Sequence, residues 1–400
     1  MSLVINTNIS SLNAQNNLTK SKSALAQATQ RLSSGLKINS AADNAAGFAI
    51  SQRYTTQVGG LTQASANASD AINLAQTAGS ALDQVTANLQ AVRDLAVQSA
   101  NGTYTDSDRA SIDQEVQQRL AEITRIANQT TFNGSKVLDG SMSTKSFQIG
   151  ADVGQTISVN LGTSVKASDM GKIAEVNTSD LSGAFKDATT GAATTMDLSK
   201  ITITGTDGTA VALSGTASSV QDLADAINAK GIAGVSAAVD GKGGLSMFSN
   251  GSFKIADTGS ISAASTLGAT QTKITGVATD VGAGAAYVDG AAANTAGSLS
   301  GSDVKSVDNA NALISRVDVA LKTVSDFAAQ LGAVQNRFQS TISTVAAQTT
   351  NLQASQSTIQ DADFAAETAN LSKAQVLQQA GISVLAQANS NPQQVLKLLQ

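Results

Sequence analysis

The sequence predicts a mainly α fold: a long coiled-coil helical rod built from both chain ends, with a β-hairpin and an inserted β-rich (α+β) outer domain. Three observations carry this reading. From Val304 to Gln353 apolar residues follow a seven-residue repeat with no proline and one glycine, Gly332. A second heptad run occupies residues 61–99. Between the two, from about 166 to 303, the composition changes to Gly, Ala, Ser and Thr, and no arginine occurs between Arg125 and Arg316.

In the C-terminal run one row is Val307, Ile314, Leu321, Ala328, Gln335, Ile342 and Thr349. The other is Ala310, Val317, Val324, Leu331, Phe338, Val345 and Leu352. All but Gln335 and Thr349 are apolar, against 42% for the whole chain. Seven heptads of helix span roughly 75 Å at 1.5 Å per residue, so the helix needs a partner of similar reach. Leu61, Ala68, Ala75, Leu82, Leu89 and Ala96, with Ala64, Ala71, Ala78, Val85, Val92 and Ser99, supply it. Half of these twelve are alanine, which lets backbones approach closely but buries less area than leucine. The bland reading of both seams is an intramolecular three-helix bundle.

Composition sets the outer bounds. Four hundred residues at 42% apolar can bury a core over two to four domains. Aromatics are 3%, Trp, Cys and His are absent, and Pro392 is the single proline. Without Cys there are no disulfides and no thiol chemistry; without His the commonest general base and metal ligand is missing. A net charge of −5 leaves no basic stripe for phosphates, so nucleic acid is not the partner. No segment approaches eighteen apolar residues, so no membrane span is expected. The first residues, MSLVINTNISSLNAQNN, lack the basic and apolar regions of a conventional signal peptide.

Taken in order, residues 1–36 read as a polar helix with a thin seam, Leu18, Leu25 and Leu32, ended by Gly35. The first 42 residues hold no acidic group, and their surface is either a solvated face or a self-assembly face. Residues 43–60, small and polar, read as a tight connector into the 61–99 helix. Asn101-Gly102 breaks that helix, and Asp106 or Ser107 caps another through about Asn128, with Ile112, Val116, Leu120, Ile123 and Ala127 on its apolar face. Asn133-Gly134 and Asp139-Gly140 are turn signals, and Ser146–Ile149 with Thr156–Leu161 read as hairpin strands. In the middle segment, strands are expected at Lys200–Thr204, Thr209–Leu213, Val235–Val239, Leu245–Phe248 and Phe253–Ala256. A helix with Val220, Leu223, Ala224 and Ile227 on one face interrupts them, capped by Ser218 or Ser219 and stopped at Gly231. Residues 258–303 read as loops and short strands. Near the C-terminus Leu371, Ala374, Leu377, Ala380, Val384, Leu385 and Ala388 make a helical stripe that Val395, Leu396, Leu398 and Leu399 extend.

No constellation for catalysis emerges. The Gly-rich Gly282–Gly290 run lacks the lysine and helix entry of a phosphate loop. Asp361 and Asp363 are spaced like paired carboxylates, but a helix N-terminus explains them better. Asn101-Gly102-Thr103 and Asn250-Gly251-Ser252 fit the N-glycosylation pattern by coincidence in a chain so rich in Asn, Ser and Thr. No cofactor and no metal are expected.

Three stretches then give a family resemblance. LSSGLKINSAADNAAGFAISQR (Leu32 to Arg53) and NLQAVRDLAVQSANGTYTDSDRASIDQEVQQRLAEI (Asn88 to Ile123) resemble the N-terminal region of bacterial flagellins. IQDADFAAETANLSKAQVLQQAGISVLAQANSNPQQVLKLLQ (Ile359 to Gln400) resembles their C-terminus. The resemblance covers roughly 1–165 and 305–400; over the middle it holds only in position and composition. It implies a structural subunit, not an enzyme, that self-polymerises into the extracellular filament of the bacterial flagellum for swimming motility. It implies a terminal helical domain of 1–42 plus 357–400 lining the inner tube and a rod domain of 43–165 plus 305–356. The inserted outer domain is then 166–304, and O-linked sugar on its exposed Ser and Thr is a family-level expectation.

The thin terminal seams make Leu18, Leu25, Leu32, Leu371, Leu377, Val384, Leu385, Leu398 and Leu399 the self-assembly residues. As partners the resemblance implies other copies of the chain, an export chaperone, a filament cap and hook-junction proteins, and export unfolded through the flagellum's own channel. It also implies a patch recognised by a host's innate immune receptor, around Gln90, Arg93 and Leu95 with Glu115, where Ala91 stands in place of the family's first arginine. Two alternatives stand beside this reading: a hook–filament junction protein with related termini, and an enzyme domain displayed on a fibre.

Overall fold

The computed structural model of the chain describes residues 8–178, 180–186, 192–241, 243–257, 275–277, 292–293 and 295–398. Among the described residues six α-helices frame it: α1 (Ile9–Ser34), α2 (Ala45–Ala100), α3 (Asp106–Gln129), α4 (Val220–Ala229) and, after the insertion, α5 (Val307–Gln360) and α6 (Phe364–Leu398). Two compact units are drawn from them. One comprises Met1–Ser69, Gln148–Thr156 and Gln339–Gln400; the other comprises Asp70–Phe147 and Ile157–Phe338.

Helix boundaries follow local chemistry. Asn8 caps α1 by accepting the Ser11 N–H, and Gly35 closes it in the left-handed region at φ 72°, its N–H donating to the Arg31 carbonyl. The expected connector at 43–60 is instead the first part of α2. Asn44 accepts the Gly47 N–H with its side chain and the Phe48 N–H with its carbonyl, so the helix starts at Ala45. Gly59 and Gly60 do not break it. A Cβ on Gly60 would lie 3.0 Å from the Ala151 side chain, so this glycine serves close packing rather than a bend. The cap of α3 is Thr105, not Asp106 or Ser107. Its hydroxyl accepts from the Asp108 N–H while the Asp108 carboxylate accepts the Thr105 N–H, a reciprocal box that Asp, in place of the usual Glu, completes.

On α2 all twelve expected seam positions are buried. On α5 one of the two expected rows is in the seam and the other is replaced by its neighbour on the opposite side. Ala310, Val317, Val324, Leu331, Phe338 and Val345 are buried, as are Leu313, Ala320, Phe327 and Val334, whereas Val307, Ile314, Leu321, Ala328, Gln335, Ile342 and Thr349 are half-buried. The helix also begins at Val307 and runs on to Gln360, past the expected end at Gln353. In the second unit α5 is tied to both neighbours: Arg93 of α2 pairs with Asp318, and Asp113 of α3 accepts the Val304 N–H and pairs with Lys305 just ahead of the helix.

Strands β1 (Thr131–Phe132) and β2 (Ser135–Lys136) pair antiparallel around Asn133-Gly134. Positive φ values of 47° and 76° at these two residues give the mirror-image turn that suits right-twisted strands. β3 (Thr144–Gln148) and β4 (Thr156–Asn160) form the expected hairpin, with Ile157 and Val159 buried on alternate positions. Its 148–156 end belongs to the first unit, where the Asn67 side chain donates to the Gln148 carbonyl.

The insertion contains β5 (Ala174–Asn177), β6 (Met196–Asp197), β7 (Ile201–Thr204), β8 (Ala210–Ala212) and β9 (Thr216–Ala217), then α4. After α4 come β10 (Val235–Val239), β11 (Leu245–Ser249), β12 (Phe253–Asp257), β13 (Thr275–Val277) and β14 (Ala292–Ala293). Two four-stranded sheets result, ordered β10-β11-β5-β13 and β14-β12-β7-β8. Every pairing in both is antiparallel. All five expected strands lie within a residue of the observed ones at both ends, β10 matching outright and Thr209–Leu213 shortened by one residue at each end to Ala210–Ala212. The sequence reading passes over β5, although Ala174-Glu175-Val176-Asn177 alternates and buries every second residue, and β6 and β9 are too short to show a period. Ser219 caps α4, and Val220, Leu223, Ala224 and Ile227 are all buried, packed with Ile203, Met247 and Ile255. Most of 258–303, including the Gly282–Gly290 run, lies outside the described residues.

Candidate functional site: the paired terminal helices

The sequence expectation that the two chain ends meet holds in the first unit, where α1 packs along α6. The seam is made of small residues. Ala14 and Ala28 of α1 and Ala374 and Ala388 of α6 are buried, and Leu18, Leu25, Leu32, Leu371 and Leu385 are half-buried beside them. Gly381 sits opposite Leu18, where a Cβ would be 3.4 Å from the leucine Cδ1. Polar contacts hold both ends of the pair. The Asn8 amide donates to the Ala388 carbonyl at 2.8 Å, the Ser11 hydroxyl donates to Asn389 at 2.7 Å, and Arg31 pairs with the buried Glu367 at 3.9 Å. Sequence reasoning missed Arg31 and Glu367; the available signal was one charge at the edge of each of two mainly apolar stripes.

The joint between the terminal helices and the longer ones is also specific. Residues 35–38 and 360–362 are laced together: the Lys37 N–H donates to the Gln360 carbonyl, the Ala362 N–H donates to the Gly35 carbonyl, and Leu36 bridges Asp361. Ser51 of α2 donates to the Gln360 side chain, and Gln356 donates to Thr55 at 2.9 Å. The Asp43 carboxylate accepts the Ser40 and Asn39 N–H groups, which hold its pKa below the usual carboxylate value. Asp363 caps α6 by accepting the Ala365 and Ala366 N–H groups, the helix-terminus role expected of it, whereas Asp361 lies in the backbone bridge to Leu36.

The predicted self-assembly residues divide into two groups. Leu377 and Val384 do not join the seam: they are 48% and 58% exposed, and Val376, Ile382 and Phe364 on the same helix are exposed as well. At about 100° per residue, Leu377 and Val384 lie on one flank of α6, Ile382 and Phe364 on the other, and Val376 faces away from α1. On α1, Ile9 and Leu12 likewise face away from α6 and are exposed. Leu398 closes α6, its side chain outside the described residues, and Leu399 lies beyond them.

Gln90 is exposed on α2, Ala91 and Leu95 are half-buried there, and Glu115 is exposed on α3, paired with Arg119 at 2.7 Å. Arg93 is held by Asp318 through Nε at 2.6 Å and Nη2 at 3.4 Å, and this hydrogen-bonded carboxylate raises its pKa. Among the described residues no group of three potential ligands is placed to hold a metal, and no helix is long and apolar enough to cross a membrane. A groove of about 400 Å³ lined by Gln57, Leu61, Asp152, Gln155 and Gln348 offers amides and one carboxylate, and no nucleophile.

Comparison with known proteins decides what this helical frame belongs to. The bacterial flagellin N-terminal helical region matches residues 5–143, and the bacterial flagellin C-terminal helical region matches 314–399. Flagellin D of Vibrio anguillarum is 40% identical over 402 residues, covering 100% of both chains. The chain belongs to the bacterial flagellin family.

Flagellins are structural proteins and not enzymes, and this flagellin is a component of the bacterial flagellum, outside the cell. A third family match, the flagellin hook IN motif, covers 200–251, from β7 to just past β11, where the sequence reading found resemblance only in position and composition. Among solved structures, FliC from Burkholderia pseudomallei is 27% identical, with a TM-score of 0.40, covering 67% of this chain and 99% of its own. The flagellar junction protein FlgL from Legionella pneumophila is 14% identical, with a TM-score of 0.40, covering 78% and 100%. The two flagellin family matches and the full-length identity to flagellins make this chain a filament subunit.

Proposed function

We propose that this flagellin polymerises through the α1–α6 pair, with each pair enclosed by the pairs of neighbouring copies. The observation that carries this is the apolar surface left on the flanks and back of α6. The four buried alanines of the seam contribute about 0.8 kcal/mol each, since each adds a single methyl. That is small against the entropy of ordering two helices, at about 1–2 kcal/mol per residue for the backbone. Neighbours that cover Leu377, Val384, Val376 and Ile382 supply the missing burial. Purified protein, concentrated and viewed by negative-stain electron microscopy, is expected to form filaments; soluble particles or amorphous aggregate would refute the assignment.

The finer parts of the reading rest on the family resemblance. Residues 1–42 with 357–400 form the inner filament domain, 43–165 with 305–356 the rod, and 166–304 the outward-facing insertion. The chain leaves the cell unfolded through the flagellar export channel, a route compatible with a chain that has no cysteine to cross-link. An export chaperone holds the C-terminal segment before secretion, a filament cap directs assembly, and hook-junction proteins seat the first subunits. Recognition by a host receptor around Gln90, Arg93, Leu95 and Glu115 is weakened, because Ala91 replaces an arginine and Arg93 is already engaged by Asp318.

A further inference from the structure

The chain enters and leaves the β-rich insertion through two paired segments within the second unit, 167–173 and 296–300. Ile173 and Ala296 exchange N–H···O bonds of 3.2 and 2.8 Å, the Leu299 N–H donates to the Met170 carbonyl at 3.0 Å, and the Ser300 N–H donates to the Ala167 carbonyl at 2.9 Å. Ala167, Met170, Ile173 and Leu299 are buried. A neck with these bonds and this burial is a small folded ribbon and not a linker.

One side chain from outside the ribbon grips both of its strands. Arg316 of α5 donates through Nη1 to the Gly171 carbonyl at 3.2 Å and to the Ala296 carbonyl at 3.1 Å, and through Nη2 to the Glu175 carboxylate at 3.4 Å. Its side chain is 13% exposed. Burial pushes the guanidinium pKa down, with Glu175 opposing that shift. The backbone is shaped around the group. Gly297 has φ 72°, and a Cβ there would stand 2.5 Å from Arg316 Nη1; Gly171 has φ 73°, and a Cβ there would meet Leu299 at 2.8 Å and the Arg316 carbonyl at 3.0 Å. Gly297 clears the seat of the planar, multi-donor group, and Gly171 lets its strand close against Leu299 and the Arg316 backbone.

We infer that Arg316 is a positioning residue that staples both strands of the neck to α5, so that the insertion is mounted rigidly on the helix and does not swing on a tether. Lysine cannot replace it: a single ammonium on a flexible stem does not reproduce a fixed fork that spans two carbonyls and a carboxylate.

Hydrogen exchange followed by mass spectrometry on the full chain tests this, using peptides covering 167–176 and 295–300. Arg316→Gln and Arg316→Lys should each speed exchange in both peptides at least tenfold, while peptides covering α3 and α4 stay within twofold of the parent. Gly297→Ala, which keeps the arginine but fills its seat, should give the same confined change. Unchanged neck exchange in Arg316→Gln, or full protection in Arg316→Lys, would overturn the staple. So would acceleration spread equally over α3 and α4, because it would make Arg316 a residue of general stability, or a Gly297→Ala variant indistinguishable from the parent.

Discussion

Replacing Leu377 and Val384 together by serine probes the assembly face without touching the folded body. Both side chains sit on one flank of α6, and about half of each remains accessible. Full burial of a Leu or Val side chain stabilises by about 1.5–3 kcal/mol, so the share still to be buried on assembly is about 1 kcal/mol each. Two such losses amount to about 2 kcal/mol per subunit, close to thirtyfold in an association constant. Because interface area converts to affinity incompletely, the expected rise in critical concentration is tenfold or more. The folded chain should scarcely notice: exposed substitutions of this kind usually change stability by less than about 0.5 kcal/mol. The assay is the protein left unpelleted after polymerisation to equilibrium, with the thermal melt of the unassembled chain as control. A critical concentration within twofold of the parent, with an unchanged melt, would show that the exposed flank is not an assembly contact. A lowered melt would show that it is part of the protomer's own core.

Other expectations follow from separate parts of the molecule. In the unassembled chain the ends beyond Asp43 and Ser357 should be cut by protease far faster than in filaments, because their seam buries mainly alanine; equal resistance in both states would contradict the marginal pairing. Phe338→Ala removes a fully buried ring that meets Phe147 edge-on at 5.7 Å, and should cost about 3–5 kcal/mol in denaturant unfolding. Asp108 has its pKa lowered by the Thr105 hydroxyl and backbone N–H, so its carboxylate favours the folded state. That contribution is complete above the ordinary carboxylate pKa and is lost as pH falls through the lowered value, so Asp108→Asn should flatten the acid side of the melting-temperature profile. In a titration against the receptor, Ala91→Arg should bind about thirtyfold more tightly than the parent, the gain of roughly 2 kcal/mol that an arginine at an interface hot spot gives.

Much of the frame was legible because it is written in periodicity. The alanine-rich rows of α2 are buried at every expected position, and the alternation of Val235–Val239 and Leu245–Phe248 marks β10 and β11. What failed was local chemistry whose outcome depends on a distant neighbour. Gly59-Gly60 and the small residues from 43 to 60 look like a connector, yet Asn44 starts a helix there and the 148–156 turn needs the room that Gly60 leaves. Thr105 went unseen as a cap because Asp106 and Ser107 are equally good candidates until the reciprocal bond from Asp108 selects one. Leu377 and Val384 were placed on one stripe with Leu371 and Leu385, whereas α1 covers only a sector of α6. The neck staple left no trace beyond an isolated arginine at the end of a long arginine-free stretch.

The rotated seam of α5 has a physical cause that connects these observations. A helix with one partner buries two rows of a heptad, the pattern the sequence count assumes. Between two partners it must bury a wider face, about three positions in seven. The positions observed fit this. The Ala310–Val345 row is buried throughout, the Leu313–Val334 row is added on one side, and the Val307–Ile342 row is left half-covered on the other. The polar contacts name the two partners, since Asp318 reaches Arg93 of α2 while Val304 and Lys305 reach Asp113 of α3. α3 ends at Gln129, and the hairpin takes its place, Phe147 closing over Phe338. Beyond Val345 no α5 residue is buried, and Leu352 is only half-covered. The helix therefore outlasts its intramolecular cover, as α6 does on its flanks. Both surfaces lie in the unit that holds the chain ends, and under the proposed assembly further copies of the same chain would supply the remaining burial.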